Sequence, residues 1–126
     1  MHIESILVSG KPMLPTTYRT ILYYDRPLIG TFEIDGSTVL FWAADAHDDP
    51  VMRYAYVELT AEEAEKVQSY FLRDTFSGYE EHPLLSNRRV VVALSNGEWS
   101  IDKVTVIKQS TPNVFAEIDE IFPVAK

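Results

Sequence analysis

The densest group of potential metal ligands in the sequence lies between residues 45 and 49. Asp45, His47, Asp48 and Asp49 bring carboxylates and an imidazole together within five residues, and such groups bind divalent cations. The spacing lacks the turn glycine and the trailing glutamate of a calcium-binding loop. A solvated loop is therefore favoured over a metal site, and Asp45, His47 and Asp49 remain the metal candidates. We expect no cofactor.

A second group with possible acid–base chemistry is Glu80-Glu81-His82. Histidine titrates near neutral pH and is the most common proton-transfer residue in enzymes. No nucleophile lies beside it in the sequence, and His82-Pro83 is typical of the end of a loop. Phosphate-binding glycine patterns and the Gly-x-Ser-x-Gly elbow do not occur. We predict no catalytic residues, although a small-ligand or metal-dependent enzyme stays as an alternative.

Aromatic side chains are the third possible source of function, because they are enriched at the centres of protein interfaces. The chain contains seven tyrosines and two tryptophans. Alternation along a strand places Tyr54 and Tyr56 on one face, and Tyr18 and Tyr24 on one face of another strand. If these rings are exposed, they would bind a partner. If they are covered, they belong to the hydrophobic core, and this second alternative is favoured. The interaction candidates are Tyr18, Tyr24, Asp25, Trp42, Tyr54 and Tyr56, although Asp25 also suits a structural turn.

Two hairpins position these residues. Leu28–Ile34 and Thr38–Ala43 flank Asp35-Gly36, a dipeptide that tolerates the positive φ angles of a two-residue turn. Asn96-Gly97 predicts a second hairpin that leads into a strand from Trp99 to Ile107. In that strand the apolar residues change face, which predicts a bulge or bend near Asp102-Lys103.

A helix begins at Thr60. Thr60-Ala61-Glu62-Glu63 has the form of a capping box, in which the first and last side chains bond each other's backbone amides. Ala64, Val67 and Phe71 recur at helical spacing and would face the sheet, while Glu62 and Lys66 would form an exposed pair. Ser77-Gly78 would end the helix.

The remaining segments are strands, loops and termini. Aromatic and β-branched residues predict strands over Tyr18–Tyr24, Met52–Leu59 and Val90–Leu94, and the first residues, Ile3–Val8, could form another short strand. The continuous run Leu40-Phe41-Trp42 predicts a strand covered on both faces. The tail, Asn113–Phe122, fits a short helix or an edge strand.

These elements predict an α+β fold: a strongly bent, mainly antiparallel β-sheet with one main α-helix, about residues 60–75, packed on it. A chain of 126 residues is the size of one domain. We expect residues 13–126 to form this domain and residues 1–12 to be an N-terminal extension or an extra strand. Translation could also begin at Met13.

Charge and composition restrict the partners. The net charge of −8 opposes direct binding to nucleic acid and to anionic membranes. The chain contains no cysteine, and its first residues lack the pattern of a secretory signal. We therefore expect a cytoplasmic protein whose partner is another protein with a basic surface. A second copy of the chain is an alternative partner.

The chain resembles a group of small bacterial domains of unknown function that carry a Tyr-Asp-any-Pro-Leu signature. The residues that resemble this group are Tyr23–Leu28, Phe41-Trp42, Tyr54–Val57 and Thr60–Glu63. Ile29-Gly30 departs from the pattern, which has two bulky apolar residues there, and the carboxy-terminal third has no counterpart. The resemblance implies a small stand-alone or accessory bacterial domain and no particular catalytic residue.

Three functions follow from these observations. The first is a non-enzymatic protein-interaction or regulatory domain that uses an aromatic sheet face. The second is an acidic decoy that imitates nucleic-acid phosphates and inhibits a basic host or phage protein. The third is the small-ligand or metal-dependent enzyme described above.

Overall fold

The structure, a computed structural model, describes residues 3–23, 27–45, 51–73 and 83–123. The strands are β1 (Arg19–Tyr23), β2 (Pro27–Ile34), β3 (Ser37–Ala43), β4 (Arg53–Leu59), β5 (Val90–Ser95) and β6 (Ile101–Ile107). The helices are α1 (Ala61–Arg73) and α2 (Val114–Ile121), with short 3-10 turns at Ile3–Ser5 and Pro83–Leu85.

All six strands form one sheet in the order β1-β2-β3-β4-β5-β6. Every neighbouring pair is antiparallel, so sequence neighbours are also spatial neighbours. This confirms the α+β class with a mainly antiparallel sheet. The described strands leave the sheet open, with β1 and β6 as its edges, and its expected strong bend stays a prediction.

The turn between β2 and β3 is the one that the sequence predicts. Ile34 pairs with Ser37, which leaves Asp35 and Gly36 as the two turn residues. Their φ angles are 49° and 83°, both in the left-handed region that this turn type requires. The Asp35-Gly36 prediction is confirmed.

The hairpin between β5 and β6 exists, but its loop is longer than a two-residue turn. The Asn96 side chain shapes this loop, since its Oδ1 accepts hydrogen bonds from the backbone amides of Glu98 at 2.9 Å and Ser100 at 3.2 Å. The positive φ angle falls on Trp99, at 63°. β6 consequently begins at Ile101 and not at Trp99.

The bulge lies where the change of face predicts it. Leu94 pairs with Lys103, whereas Ser95 pairs with Ile101, so Asp102 is the extra residue on β6. One inserted residue reverses the alternation of side chains along a strand. This explains how apolar residues on both sides of Asp102 can face apolar surroundings.

The helix α1 begins with the predicted capping box. The Thr60 amide donates to Glu63 Oε1 at 3.0 Å, and the Glu63 amide donates to Thr60 Oγ1 at 3.2 Å. Lys66 lies 3.5 Å from Glu62 in an exposed pair, and Val67 is buried. The side chain of Phe71 and the expected end at Ser77-Gly78 lie outside the described residues.

The sheet has two faces of different composition, because paired residues on adjacent strands point to the same side. Phe32, Phe41, Tyr54 and Tyr56 define the aromatic face. The opposite side, the helix face, includes Leu40 and Val57, which pair with each other, and Trp42.

The N-terminal segment, residues 3–18, packs against the sheet. It forms a 3-10 turn where we expected a strand over Ile3–Val8, and this turn lets Ile3 and Leu7, four residues apart, both be buried. Met13 and Leu14 are buried as well. The segment meets the start of β6 through two backbone hydrogen bonds between Gly10-Lys11 and Ile101, of 2.9 and 2.7 Å.

The tail forms a helix and not an edge strand. Val114 and Ile118 of α2 are one helical turn apart and both fully buried. The pair gives α2 a single apolar side, which is what a surface helix needs to dock. Of the two alternatives for the tail, the short helix is therefore the correct one, and it adds a second helix to the main helix α1.

We predict that Gly30→Ala destabilises the protein by about 2 kcal/mol or more, since overpacking at a fixed backbone has costs of this order. A Cβ atom at Gly30 would lie 2.0 Å from the Arg19 carbonyl oxygen and 2.6 Å from Phe41 Cζ. Gly97→Ala is the control, because a Cβ atom there meets nothing within 4 Å. Urea denaturation measures both, and equal stabilities would contradict the close approach of β1 to β2.

We also predict a pH-dependent effect of Glu63→Gln. Burial raises the pKa of Glu63, but hydrogen bonds from Arg88 and Thr60, together with the Arg88 charge, lower the pKa by more, so that it lies below the ordinary 4.5. Ionised Glu63 therefore stabilises the fold above the ordinary pKa, and this contribution is lost as the pH falls through the lowered pKa of the folded state. The variant should be less stable than the wild type near neutral pH, and the deficit should shrink as the pH falls below 4.5.

Chemical denaturation over this pH range measures the deficit. Glu62→Gln is the matched control, since the ion pair of Glu62 with Lys66 is exposed and its loss should cause little deficit at any pH. A Glu63→Gln deficit that stays constant with pH would contradict the charge-based account.

Candidate functional site

Three of the predicted interaction residues belong to the core. Trp42, Tyr54 and Tyr56 are at most 1% exposed, so their rings cannot form a contact surface. Trp42 lies on the helix face and the two tyrosines lie on the aromatic face. Both faces of the sheet are covered at these strands. These three aromatic residues are therefore core residues, which is the favoured alternative from the sequence.

The hydroxyl groups of the two buried tyrosines hold neighbouring segments. Tyr54 donates to the carbonyl of Pro27 at the start of β2, and Tyr56 donates to the carbonyl of Met13 at 2.7 Å. Burial raises the pKa of Tyr56 well above its ordinary value of 10.0, and the neighbouring Tyr54 raises this pKa further. Both hydroxyl groups are thus hydrogen-bonded parts of the scaffold, and Tyr56 remains neutral.

Tyr18 is the interaction candidate that the structure places at the surface. It is 39% exposed, and its ring contacts the buried ring of Phe41 edge-on, with 6.0 Å between ring centres. The contact fixes the ring in place while part of it remains accessible. Tyr24 and Asp25 lie outside the described residues.

Tyr18 borders a groove of about 670 Å³ at the β1 end of the sheet. We call it the β1–α1 groove. Its lining residues are Thr16, Thr17, Tyr18, Arg19, Thr31, Phe32, Glu33, Thr38, Ala64 and Glu65. The groove therefore joins the end of the N-terminal segment, three strands and the first turns of α1.

Polar side chains of the helix face form the floor of the β1–α1 groove, whereas Phe32 and the Tyr18 ring, which packs on Phe41, belong to the aromatic face and border the groove. Thr31 pairs with Arg19, and Glu33 pairs with Thr38, so these four side chains share one side of the sheet. Arg19 and Glu33 are exposed, and Thr31 and Thr38 are partly exposed, so this margin of the sheet is open. Thr31 and Glu33, which are alternate polar residues of β2, thus lie along the floor of the groove.

The chemistry of the groove suits contact more than reaction. Threonine hydroxyls are weak nucleophiles without an adjacent base, and the described lining residues include no histidine. What the groove offers is hydroxyl donors and acceptors, one guanidinium and two carboxylates. Sequence reasoning missed it, although the run Thr16-Thr17-Tyr18-Arg19 before a strand was a usable signal.

A buried ion cluster forms around Arg53, the first residue of β4. Arg53 is 5% exposed, and Asp45 accepts from it three times: from the backbone amide at 2.7 Å, from Nε at 3.0 Å and from Nη2 at 2.6 Å. Arg53 Nη1 donates to Asp119 Oδ1 at 2.6 Å and to the Phe122 carbonyl at 2.8 Å. The cluster ties α2 and the segment before β4 to the helix face.

The Arg53 cluster also changes the interpretation of Asp45 as a metal candidate. Both of its carboxylate oxygens accept hydrogen bonds from Arg53, so they serve an ion pair. His47 and Asp49 lie outside the described residues, as do Glu80, Glu81 and His82. Among the residues that the structure does describe, no three His, Asp or Glu side chains are grouped to hold a metal.

Arg53 remains charged in this setting. Burial lowers its pKa, but hydrogen bonds and charge from Asp45 and Asp119 outweigh that effect and raise the pKa above its ordinary value. Sequence reasoning missed the role of Arg53, because its acidic partners are 8 and 66 residues away in the chain. The available signal was a lone charge between Met52 and Tyr54 in an apolar strand.

Comparison with known proteins gives no relative: no protein-family model, no curated protein and no solved structure matches the chain. The resemblance to small bacterial domains stays a prediction. Within the described ranges, no helix has both the length and the apolar character needed to cross a bilayer.

We predict that Asp45→Asn and Asp119→Asn have very different effects on stability. The Asp45 side chain is 9% exposed and the Asp119 side chain is 61% exposed. Loss of the Asp45 charge leaves a buried guanidinium partly uncompensated, which costs about 3 kcal/mol, whereas loss of a solvent-screened charge costs about 1 kcal/mol or less. Urea denaturation measures both, and equal effects would argue against a desolvated Arg53–Asp45 pair.

Proposed function

We propose that the protein is a non-enzymatic protein-interaction or accessory domain and that the β1–α1 groove is its contact surface. The observation that supports this proposal most directly is the position of Tyr18. It is a partly exposed aromatic residue, anchored on Phe41 at the border of a large concave surface. Anchored aromatic residues beside polar groups are common at protein contact sites.

The composition of the groove favours a protein partner over a small ligand. Small-molecule sites enclose most of their ligand and are mainly apolar. This groove is open and its lining includes four threonines and three charged residues. A nucleic-acid partner is disfavoured by the net charge of −8.

A partner other than a second copy of the chain is favoured by the edges of the sheet. β1 has only five residues and two register irregularities, and the β6 edge contains a bulge and meets the N-terminal segment at Ile101. Short, irregular or covered edges oppose pairing between copies. A homodimer formed by joining sheet edges is therefore the weaker form of the proposal.

The acidic-decoy alternative has less support. Several described carboxylates already serve the fold: Glu4, Asp45, Glu63 and Asp119 pair with arginines, and Glu117 accepts from the Thr111 amide at 3.0 Å. Among the described residues, the exposed carboxylates outside these pairs and the Glu62–Lys66 pair are Glu33, Asp35, Glu58, Glu65, Glu98, Asp102 and Glu120, and they lie on seven different elements or loops. A mimic of nucleic acid needs an ordered row of free charges, and the described carboxylates do not form one.

The proposal also includes three predictions that were made from the sequence. They are a cytoplasmic location, an accessory role like that of the small bacterial domains that the chain resembles, and a strongly bent sheet. An enzyme centred on residues 45–49 or 80–82 is the third alternative, and the Arg53–Asp45 pair counts against Asp45 as one of its metal ligands.

A photocrosslinking residue placed at Thr17 tests the proposal. In the native host, this position should give a discrete adduct with one protein, whereas the same residue at exposed Ser9, outside the groove lining, should not. The purified partner should then bind wild type and Ser9→Arg equally, and bind Thr17→Arg at least about tenfold more weakly, the effect of about 1.4 kcal/mol. Adducts independent of position, or equal affinity of all three proteins, would overturn the proposal.

A further inference from the structure

We propose that the β1–α1 groove receives an extended, basic segment of its partner, with a lysine or arginine side chain placed between Glu33 and Glu65. This inference rests on the proposed function and specifies the chemistry of the partner. Three features of the groove support it: the charges that the described residues leave unpaired, the spacing of the side chains on its floor, and its open shape.

The carboxylates of the groove differ from many others in the protein because the described residues do not neutralise them. Glu4, Glu62 and Glu63 each form an ion pair with an arginine or lysine. Glu33 and Glu65 border the same groove and form neither a salt bridge nor a side-chain hydrogen bond with the described part of the chain. Two unpaired carboxylates at one concave surface attract a cation that the partner must supply.

Arg19 is the opposing charge in the groove. It pairs with Thr31 across β1 and β2, and it is exposed. A basic side chain is therefore attracted to the Glu33 and Glu65 part of the groove and repelled from the Arg19 part. This asymmetry gives the bound segment a direction: its basic residue lies towards the helix, and a neutral or acidic residue lies near Arg19.

The side chains on the floor of the groove have the spacing of an extended chain. Thr31 and Glu33 are two residues apart on β2 and point to the same side, and alternate residues of a strand are about 6.6 Å apart. A partner segment in extended conformation presents its side chains with the same repeat. Its successive polar groups can then meet Thr31 and Glu33 in register.

Fluorescence anisotropy with a labelled short peptide of alternating lysine and threonine tests this inference. The wild type should bind this probe and should not bind the matching peptide of glutamate and threonine. The double variant Glu33→Gln/Glu65→Gln should bind the lysine peptide about fivefold more weakly at about 0.15 M salt, as expected for the loss of two partly solvated ion pairs.

The matched control is Glu58→Gln/Glu98→Gln, which removes the same charge from exposed positions outside the groove lining. Its affinity should remain within about twofold of the wild type, since distant exposed charges are screened at this salt concentration. Equal weakening in both double variants would show general charge attraction and overturn the inference. No binding by the wild type would overturn it too.

These outcomes are separable from those of the crosslinking experiment. If Thr17 captures a partner that binds the Glu33→Gln/Glu65→Gln variant as tightly as the wild type, the groove is a contact surface but its occupant is not a basic segment. If Thr17 captures none and the lysine peptide still binds in the groove, the proposed function fails while the charge preference holds.

Discussion

The structure depends on one constraint: β3 and β4 must be covered on both faces. Phe41 and Trp42 point to opposite sides of β3, and both are at most 1% exposed. On β4, Tyr54, Ala55, Tyr56 and Val57 are all fully buried. The Arg53 side chain holds α2 on the helix face, and the Tyr56 hydroxyl holds the N-terminal segment on the aromatic face, so each face has its own covering layer.

This constraint explains how the rest of the chain is arranged. The Tyr56 hydroxyl binds the Met13 carbonyl and thereby fixes the N-terminal segment on the aromatic face. On the helix face, the Arg53 cluster fixes α2 and the Arg88–Glu63 pair fixes the start of α1. The β1–α1 groove lies where these coverings end. The boundary between the buried interior and the open groove thus depends on how far α1 and the N-terminal segment extend over the sheet.

Local features of this fold could be predicted because their causes are local. The Asp35-Gly36 turn depends on two residues, and the Thr60–Glu63 capping box on four. The bulge at Asp102 followed from the alternation of neighbouring side chains. The loop after Asn96 shows the limit of this reasoning. There the side-chain oxygen of one residue accepts hydrogen bonds from two backbone amides, and the turn is longer than the sequence predicts.

Non-local features could not be predicted in the same way. Arg53 and Asp119 are 66 residues apart in the chain, so no short motif predicts their pairing. The burial of Tyr54 and Tyr56 depends on a segment some 40 residues earlier, as the 43-residue separation between Tyr56 and Met13 illustrates. The groove depends on the path of α1 across the strands, so its residues could be recognised only as polar positions.

Paramagnetic relaxation of labelled tyrosine rings by a soluble agent tests the central claim most directly, namely that the Tyr54 and Tyr56 rings of the aromatic face are covered and that the Tyr18 ring is accessible beside the groove. The account predicts strong broadening of the Tyr18 signals and almost none for Tyr54 and Tyr56. Comparable broadening of all three rings would contradict it, since the aromatic face would then be open to solvent.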